Sequence, residues 1–170
     1  LPISFDTTKE AARLNIKTRA EALNYLKDGG AVGVFPGGTV STSSKAFEPP
    51  MDPVWRSFTA KMIGRSGATV VPIFFEGQNS RLFQMASLLH NTLRLGLYIR
   101  EFKMRVDNPV KIVVGAPISA AQLTADKLDP ATLMDNLRKT TYNLSPKPVQ
   151  IDKFGLETEE WHRQPRAGTR

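Results

Sequence analysis

Cysteine is absent from the 170 residues, which excludes a disulfide framework, a thiol nucleophile and a cysteine-based zinc site together. Histidine is nearly absent: only His90 and His162 occur, so no multi-histidine metal centre is expected. Long apolar runs are missing too. The longest, such as Val70-Val71-Pro72-Ile73-Phe74-Phe75, has the length of a strand and falls far short of the roughly 20 residues that cross a bilayer. The first residues have no signal-peptide pattern. Leu1 opens an apolar Leu-Pro-Ile sequence with no Met before it, and the chain is expected to be an excised piece of something longer. Acidic residues are the scarcer charge. Sixteen Asp and Glu face 23 Lys and Arg, a balance of +7 with a pI near 9.9. Such a field attracts nucleic acid, anionic lipid headgroups or a phosphorylated substrate.

What remains is ordinary for a globular chain: 41% of residues are hydrophobic and 23% charged, enough for one domain with a real core. Thr7-Thr8-Lys9-Glu10 has capping-box spacing, and Ala11, Leu14, Ala20, Leu23 and Leu26 follow at mostly helical intervals up to Gly29-Gly30. This predicts a first helix of about 20 residues. Ala31 to Phe35 is a short continuous apolar run, the form of a strand buried on both faces. Pro36-Gly37-Gly38-Thr39 ends it, and residues 40–53, rich in Ser, Thr and Pro, read as a loop.

A helix is expected from Pro53 to Arg65, a second buried strand from Thr69 to Phe75, and a polar turn from Glu76 to Ser80. Leu82 to Leu89 reads as helical, Val110 to Val114 as a third strand, and Pro130 to Leu144 as a final helix. Helices alternating with short buried strands predict an α/β domain over residues 1–145, with a mostly parallel central sheet flanked by helices. Residues 146–170 are polar and basic and read as a flexible tail. Ligands of such sheets gather beyond the carboxyl ends of the strands, which points to loops 36–45 and 76–81.

The run Val32 to Ser41 carries the strongest signal. Its glycines let backbone amides approach an anion, although a plain strand-to-loop turn needs glycine as well. The spacing fits neither G-x-G-x-x-G nor a P-loop, and there is no G-x-S-x-G nucleophile elbow. The segment Leu93 to Arg105 interleaves Leu95, Leu97, Tyr98, Ile99 and Phe102 with Arg94, Arg100, Lys103 and Arg105. It reads first as an element with one buried and one solvated face, and second as one suited to a lipid–water interface. The Trp161-His162-Arg163 stretch offers the same two readings, tail or membrane contact.

Phe35-Pro36-Gly37-Gly38-Thr39-Val40-Ser41 resembles the Phe-Pro-Glu-Gly-Thr-Arg-Ser block of the lysophosphatidate acyltransferase family (glycerol-phosphate acyltransferases). Val71-Pro72-Ile73 resembles that family's later Val-Pro block. Phe74 to Gln84 and Val113-Val114-Gly115-Ala116-Pro117-Ile118 are similar to its hemolysin-like bacterial branch, so the resemblance runs over residues 1–118. It implies a glycerolipid-acyltransferase-like α/β fold, incomplete at its N-terminus.

The resemblance further implies a membrane-associated transferase of bacterial phospholipid biosynthesis, at the cytoplasmic face of the inner membrane, peripheral or anchored through a preceding segment. Its donor would be acyl-CoA or acyl carrier protein, its acceptor a lyso-lipid, with no bound cofactor. The implied substrate-binding residues are Phe35, Pro36, Gly37, Gly38, Thr39, Ser41, Pro72, Asn79, Ser80 and Arg81. Gly37 stands where the family has Glu, and Val40 where it has Arg. A phosphate's charge partner would then be Arg81 or Lys45, or the acceptor another lyso-lipid such as a lyso-ornithine lipid.

The family's general base is a His with an Asp five residues on, which takes the acceptor hydroxyl's proton. Neither His90 nor His162 has that Asp. His90 falls at a helix end, where capping is the simpler role. No catalytic residue is therefore assigned within the chain, and the dyad is expected in a preceding segment. Two other readings stay open: a basic α/β module binding nucleic acid, against which no helix-turn-helix, RRM or KH signature appears, and a catalytically dead scaffold for anionic lipid.

Overall fold

Thr8 starts the first helix: its hydroxyl accepts the Ala11 amide at 3.1 Å, satisfying one donor that a helix N-terminus leaves open. The computed structural model describes residues 8–156. Helix α1 spans Lys9–Lys27 and stops at Asp28 and Gly29, as the spacing predicts. Helix α2, Phe58–Ser66, begins five residues later than expected. The reason lies in residues 52–56. The Arg56 amide donates to the Pro36 carbonyl at 3.0 Å and the Trp55 indole to Asp52 at 2.9 Å, so these residues serve the preceding loop rather than a helical turn.

Strand β1 is Ile73–Phe75 and β2 is Ile112–Val114. Between them lie α3, Arg81–Leu89, and α4, Asn91–Arg105. The two strands pair antiparallel, Ile73 opposite Val114 and Phe75 opposite Ile112, and a bridge from Val70 to Ile118 prolongs the ladder. This corrects the expected mostly parallel sheet. One crossover helix returns the chain parallel, whereas two antiparallel helices return it reversed. Ser80 meets Glu101 and Phe83 meets Tyr98, ring centroids 5.3 Å apart, which is the register of a helical hairpin turning at His90. That residue's backbone is extended (φ −163°), and its imidazole accepts the Thr92 amide at 3.2 Å, the capping role expected for it.

The run Ala31 to Phe35 is a second correction. It joins no ladder among the described residues, and Phe35 is 78% exposed. A strand needs a neighbour for its amides and carbonyls, and none of the described elements supplies one. Helix α5, Ala120–Thr124, was not expected; a capping box between Ser119 and Gln122 starts it. Helix α6, Pro130–Tyr142, starts as predicted at Asp129-Pro130, where the Asp129 carboxylate accepts the Ala131 and Thr132 amides.

The chain is thus a small α/β protein whose core lies between α2 and α6. Ala60 and Ile63 pack there against Leu133, Met134 and Leu137, with Trp55, Val70, Ile118 and Leu123 around them. Phe74 turns toward the same side, its ring edge-on to Tyr142 at 5.9 Å. Because side chains alternate along a strand, Ile73, Phe75, Ile112 and Val114 share the other face of the sheet, and all four are exposed. Within the stretch expected as a tail, residues 149–156 run back across α6. Arg138, fully buried, donates to the Ile151 and Lys153 carbonyls and lies 4.1 Å from the Phe154 ring centroid. Gly155 follows, so close to the loop that an added Cβ would sit 2.0 Å from the Met51 carbonyl oxygen. Residues 157–170, with His162, lie outside the described residues.

Candidate functional site

The Pro-Gly-Gly-Thr turn is built by short-range bonds. The Gly38 amide donates back to the Phe35 carbonyl at 3.1 Å, and Gly38 holds φ +68°, a left-handed conformation that costs residues with a Cβ. A Cβ at Gly38 would also stand 3.3 Å from Nε of Arg56, so the Arg56 guanidinium lies across the turn. Phe35, outermost, meets only the Phe75 ring at 6.0 Å among aromatic neighbours.

Beyond Val40 the loop doubles back on itself. Thr42 and Met51 exchange both backbone hydrogen bonds, at 3.0 and 3.2 Å, closing residues 43–50 into a lobe that is buried at Ser43 and exposed over residues 44–47. Asp52 ties its base together. Its carboxylate accepts the Ser41 hydroxyl and the Trp55 indole N–H, while its amide donates to the Tyr142 hydroxyl at 2.9 Å. Burial and the Asp52 charge push the Tyr142 hydroxyl up to about 12, so it stays protonated through the physiological range. Ser41, implied as a substrate contact, thus has its proton committed to Asp52.

The second loop reaches the first through Gln84 on α3. Its Oε1 accepts the Ser43 amide at 2.9 Å, and its Nε2 lies 3.5 Å from the Ser41 carbonyl. Ser80 caps α3 by accepting the Phe83 amide. Its own amide and hydroxyl donate to the Glu101 carboxylate at 2.7 and 2.5 Å, so the hydroxyl anchors the helical hairpin. The guanidinium of Arg105 donates to the Gln78 carbonyl at 2.5 Å. Pro72 is buried in the ladder, its carbonyl accepting the Gly115 amide.

Between the lobe and α3 opens a cleft of about 350 Å³. Lys45 and Arg81 stand in its lining as cations, with Phe47, Pro49, Met85 and Leu88 as its apolar wall. Glu48 is the acid of the lining. Hydrogen bonds from Ser44 and then Lys153 hold its carboxyl below the usual range, and Lys153 pairs with it at 2.9 Å, so it is charged but partnered. Phe47 projects at the lip with φ +66° and 88% exposure. A bulky residue in that conformation is strained by about 1 kcal/mol or more.

Of the residues implied as a binding set, the structure brings Arg81 into this cleft together with Lys45. Ser41 and Ser80 face inward to Asp52 and Glu101, and Phe35 to Thr39 form a separate turn outside the lining of the cleft. Asn79, half-buried, precedes the Ser80 cap. Asp52, Arg56, Gln84 and Phe47 were not foreseen. Phe47 and Asp52 lie in the loop read over residues 40–53, and Arg56 and Gln84 lie in stretches read as helices, where apolar spacing says nothing of polar contacts to a distant loop. Among the described residues no three His, Cys, Asp or Glu side chains converge as metal ligands, and no helix is long and apolar enough to cross a membrane. No family model matches the chain, nor does any curated protein or solved structure.

Proposed function

We propose that the chain is the acceptor-binding part of a bacterial glycerolipid acyltransferase, which moves a fatty acyl group from acyl-CoA or acyl carrier protein to a lyso-lipid such as lysophosphatidate. The observation that carries the reading is the convergence of Lys45 and Arg81 on one amphipathic cleft; Phe35 to Ser41, which resemble the family's phosphate-binding block, lead into the lobe that forms one wall of it. An amphipathic acceptor asks for both halves. Its phosphate suits two cations, and the start of its acyl chain suits Phe47, Met85 and Leu88.

On this reading Lys45 and Arg81 supply the charge that Val40 cannot. Ser80 holds α3 and with it Arg81 in place, and Arg56 stiffens the Phe35 to Thr39 turn from above. The base is a His-x-x-x-x-Asp pair contributed from outside the 170 residues. It removes the acceptor hydroxyl's proton while the oxygen attacks the thioester carbonyl; the carbon–sulfur bond then breaks and the thiol leaves with that proton. A preceding segment would supply the backbone partner that Ala31–Phe35 lacks and cover the bare face of Ile73 and Val114. The protein would work at the cytoplasmic face of the inner membrane.

The test is thiol release from acyl-CoA and from acyl carrier protein with lysophosphatidate as acceptor. This chain alone is compared with the gene product that carries the His-x-x-x-x-Asp pair. Release only by the latter, abolished by changing its His to Ala, is the expected result, since a positioned base contributes roughly 10²–10⁴ in rate. Release by the 170 residues alone would show the base misplaced. Silence in both would favour the scaffold or nucleic-acid reading.

A further inference from the structure

Helix α3 has a buried face and, opposite it, a stripe of large apolar side chains turned to solvent; α4 has a buried line and, about a quarter-turn round from it, a second such stripe. On α3 the buried positions are Phe83, Gln84, Ala86 and Ser87. Leu82, Met85 and Leu89, spaced i, i+3 and i+7, are exposed on the other side. On α4 the inward positions are Arg94 and Glu101. Leu95, Ile99 and Phe102, spaced i, i+4 and i+7, are 54, 68 and 71% exposed. That spacing defines one continuous face of a helix. A soluble surface carries scattered apolar residues, but stripes at helical spacing on two adjacent helices mark a surface that meets something.

Charge says what it meets. Residues 81–105 contain five cations, Arg81, Arg94, Arg100, Lys103 and Arg105, against the single acid Glu101. Glu101 is buried and bonded to Ser80 and pairs with the inner edge of the half-exposed Arg100 at 3.3 Å. Arg94 is buried too, so the outer charge is carried by Arg81, Arg100, Lys103 and Arg105 and is positive throughout. Gly96 leaves open space around its Cα. There a shallow hollow of about 520 Å³ is lined by Ile99, Arg100, Lys103 and Met104, cations beside aliphatic groups. We propose that the α3–α4 hairpin docks on an anionic bilayer, with Leu95, Ile99 and Phe102 entering the interface and Arg100 and Lys103 meeting headgroup phosphates. Amphipathic helices bind such surfaces by buried apolar area plus attraction to anionic lipid. The assignment rests on the lipid-handling reading for its partner only; vesicle binding needs no acyl transfer, so the two can fail separately.

The experiment is co-sedimentation of the chain with vesicles of equimolar phosphatidylglycerol and phosphatidylcholine, set against phosphatidylcholine alone. Binding to the anionic vesicles, weakened by salt, is expected. Lys103→Gln should lower it about fivefold, the effect of one cation near such a surface. The double variant Ile99→Ser with Phe102→Ser should lower it by about tenfold or more. Because the chain has no cysteine, an environment-sensitive fluorophore on Ile99→Cys reports insertion directly. Its emission should shift to the blue on the anionic vesicles, while the same label on Asn136→Cys, exposed on α6, should not move. Equal binding to both vesicle types, binding untouched by the double variant, an unshifted label at position 99, or pairing of two chains through these stripes in vesicle-free solution would each overturn the proposal.

Discussion

The α2–α6 side and the α3–α4 side use the same kinds of residue in opposite ways. On the first, Ile63, Met134 and Leu137 close on one another and are almost wholly buried. On the second, Leu95, Ile99 and Phe102 stand in solvent. The contrast extends to charge. Arg138 is fully buried and every direction of its guanidinium is used: Asp135, the Ile151 and Lys153 carbonyls, and the Phe154 ring. Arg94, almost as buried, has Nε and Nη1 without hydrogen-bond partners. The first side is finished by contacts within the chain and therefore carries its stability. The second is finished only in part, and leaves apolar area and charge on its surface.

That division can be broken by mutation. Arg138→Met should cost about 3–4 kcal/mol, since charged hydrogen bonds contribute roughly 1.5–3 kcal/mol each and buried carbonyls would be left unpaired. Arg94→Met should be neutral or stabilising, because it removes buried donors that have no acceptors. Urea unfolding of both variants decides it, and equal losses would erase the distinction. Next in size, Leu137→Ala should cost about 3 kcal/mol through the cavity it leaves, whereas Ile99→Ala should stay within about 0.5 kcal/mol.

A further effect is one of pH. Tyr142 is raised from 10.0 to about 12 by burial and the Asp52 charge. A raised group contributes stability that is whole below its unfolded value and is lost as pH climbs through the folded one. The parent should therefore lose melting temperature between pH 10 and about 12 beyond what Tyr142→Phe loses. Parallel curves for the two proteins would remove Tyr142 from the account.

Local signals in the sequence carried far. Thr8, within the capping box read at Thr7 to Glu10, marks a helix start by chemistry that acts within three residues; Ser80 and Asp129 cap α3 and α6 in the same way, although only the helical pattern was read there. Ser119 and Gln122 held an equally readable signal for α5. What was not legible is non-local. The sense of the sheet depends on whether one helix or two separate its strands, and the hairpin turns at His90 without the Gly or Pro that usually announces a turn. Whether Ala31–Phe35 is a strand depends on a neighbour, not on its own apolar run. The site divides the same way. The turn at Pro36 to Thr39 could be read from its glycines, but the cleft could not. It exists because the Thr42–Met51 pairing throws out a lobe and Gln84 clamps that lobe to α3, contacts spanning up to 43 residues of chain.

The central claim is that Lys45 and Arg81 together hold the phosphate of a lyso-lipid. Isothermal titration of the chain with short-chain lysophosphatidate, below its micelle concentration, tests this most directly when repeated on Lys45→Gln with Arg81→Gln. The account predicts measurable binding by the parent, weaker binding of the uncharged monoacylglycerol, and a loss of about tenfold or more in the double variant. Binding that ignores the phosphate, or that survives the loss of both cations, would contradict it.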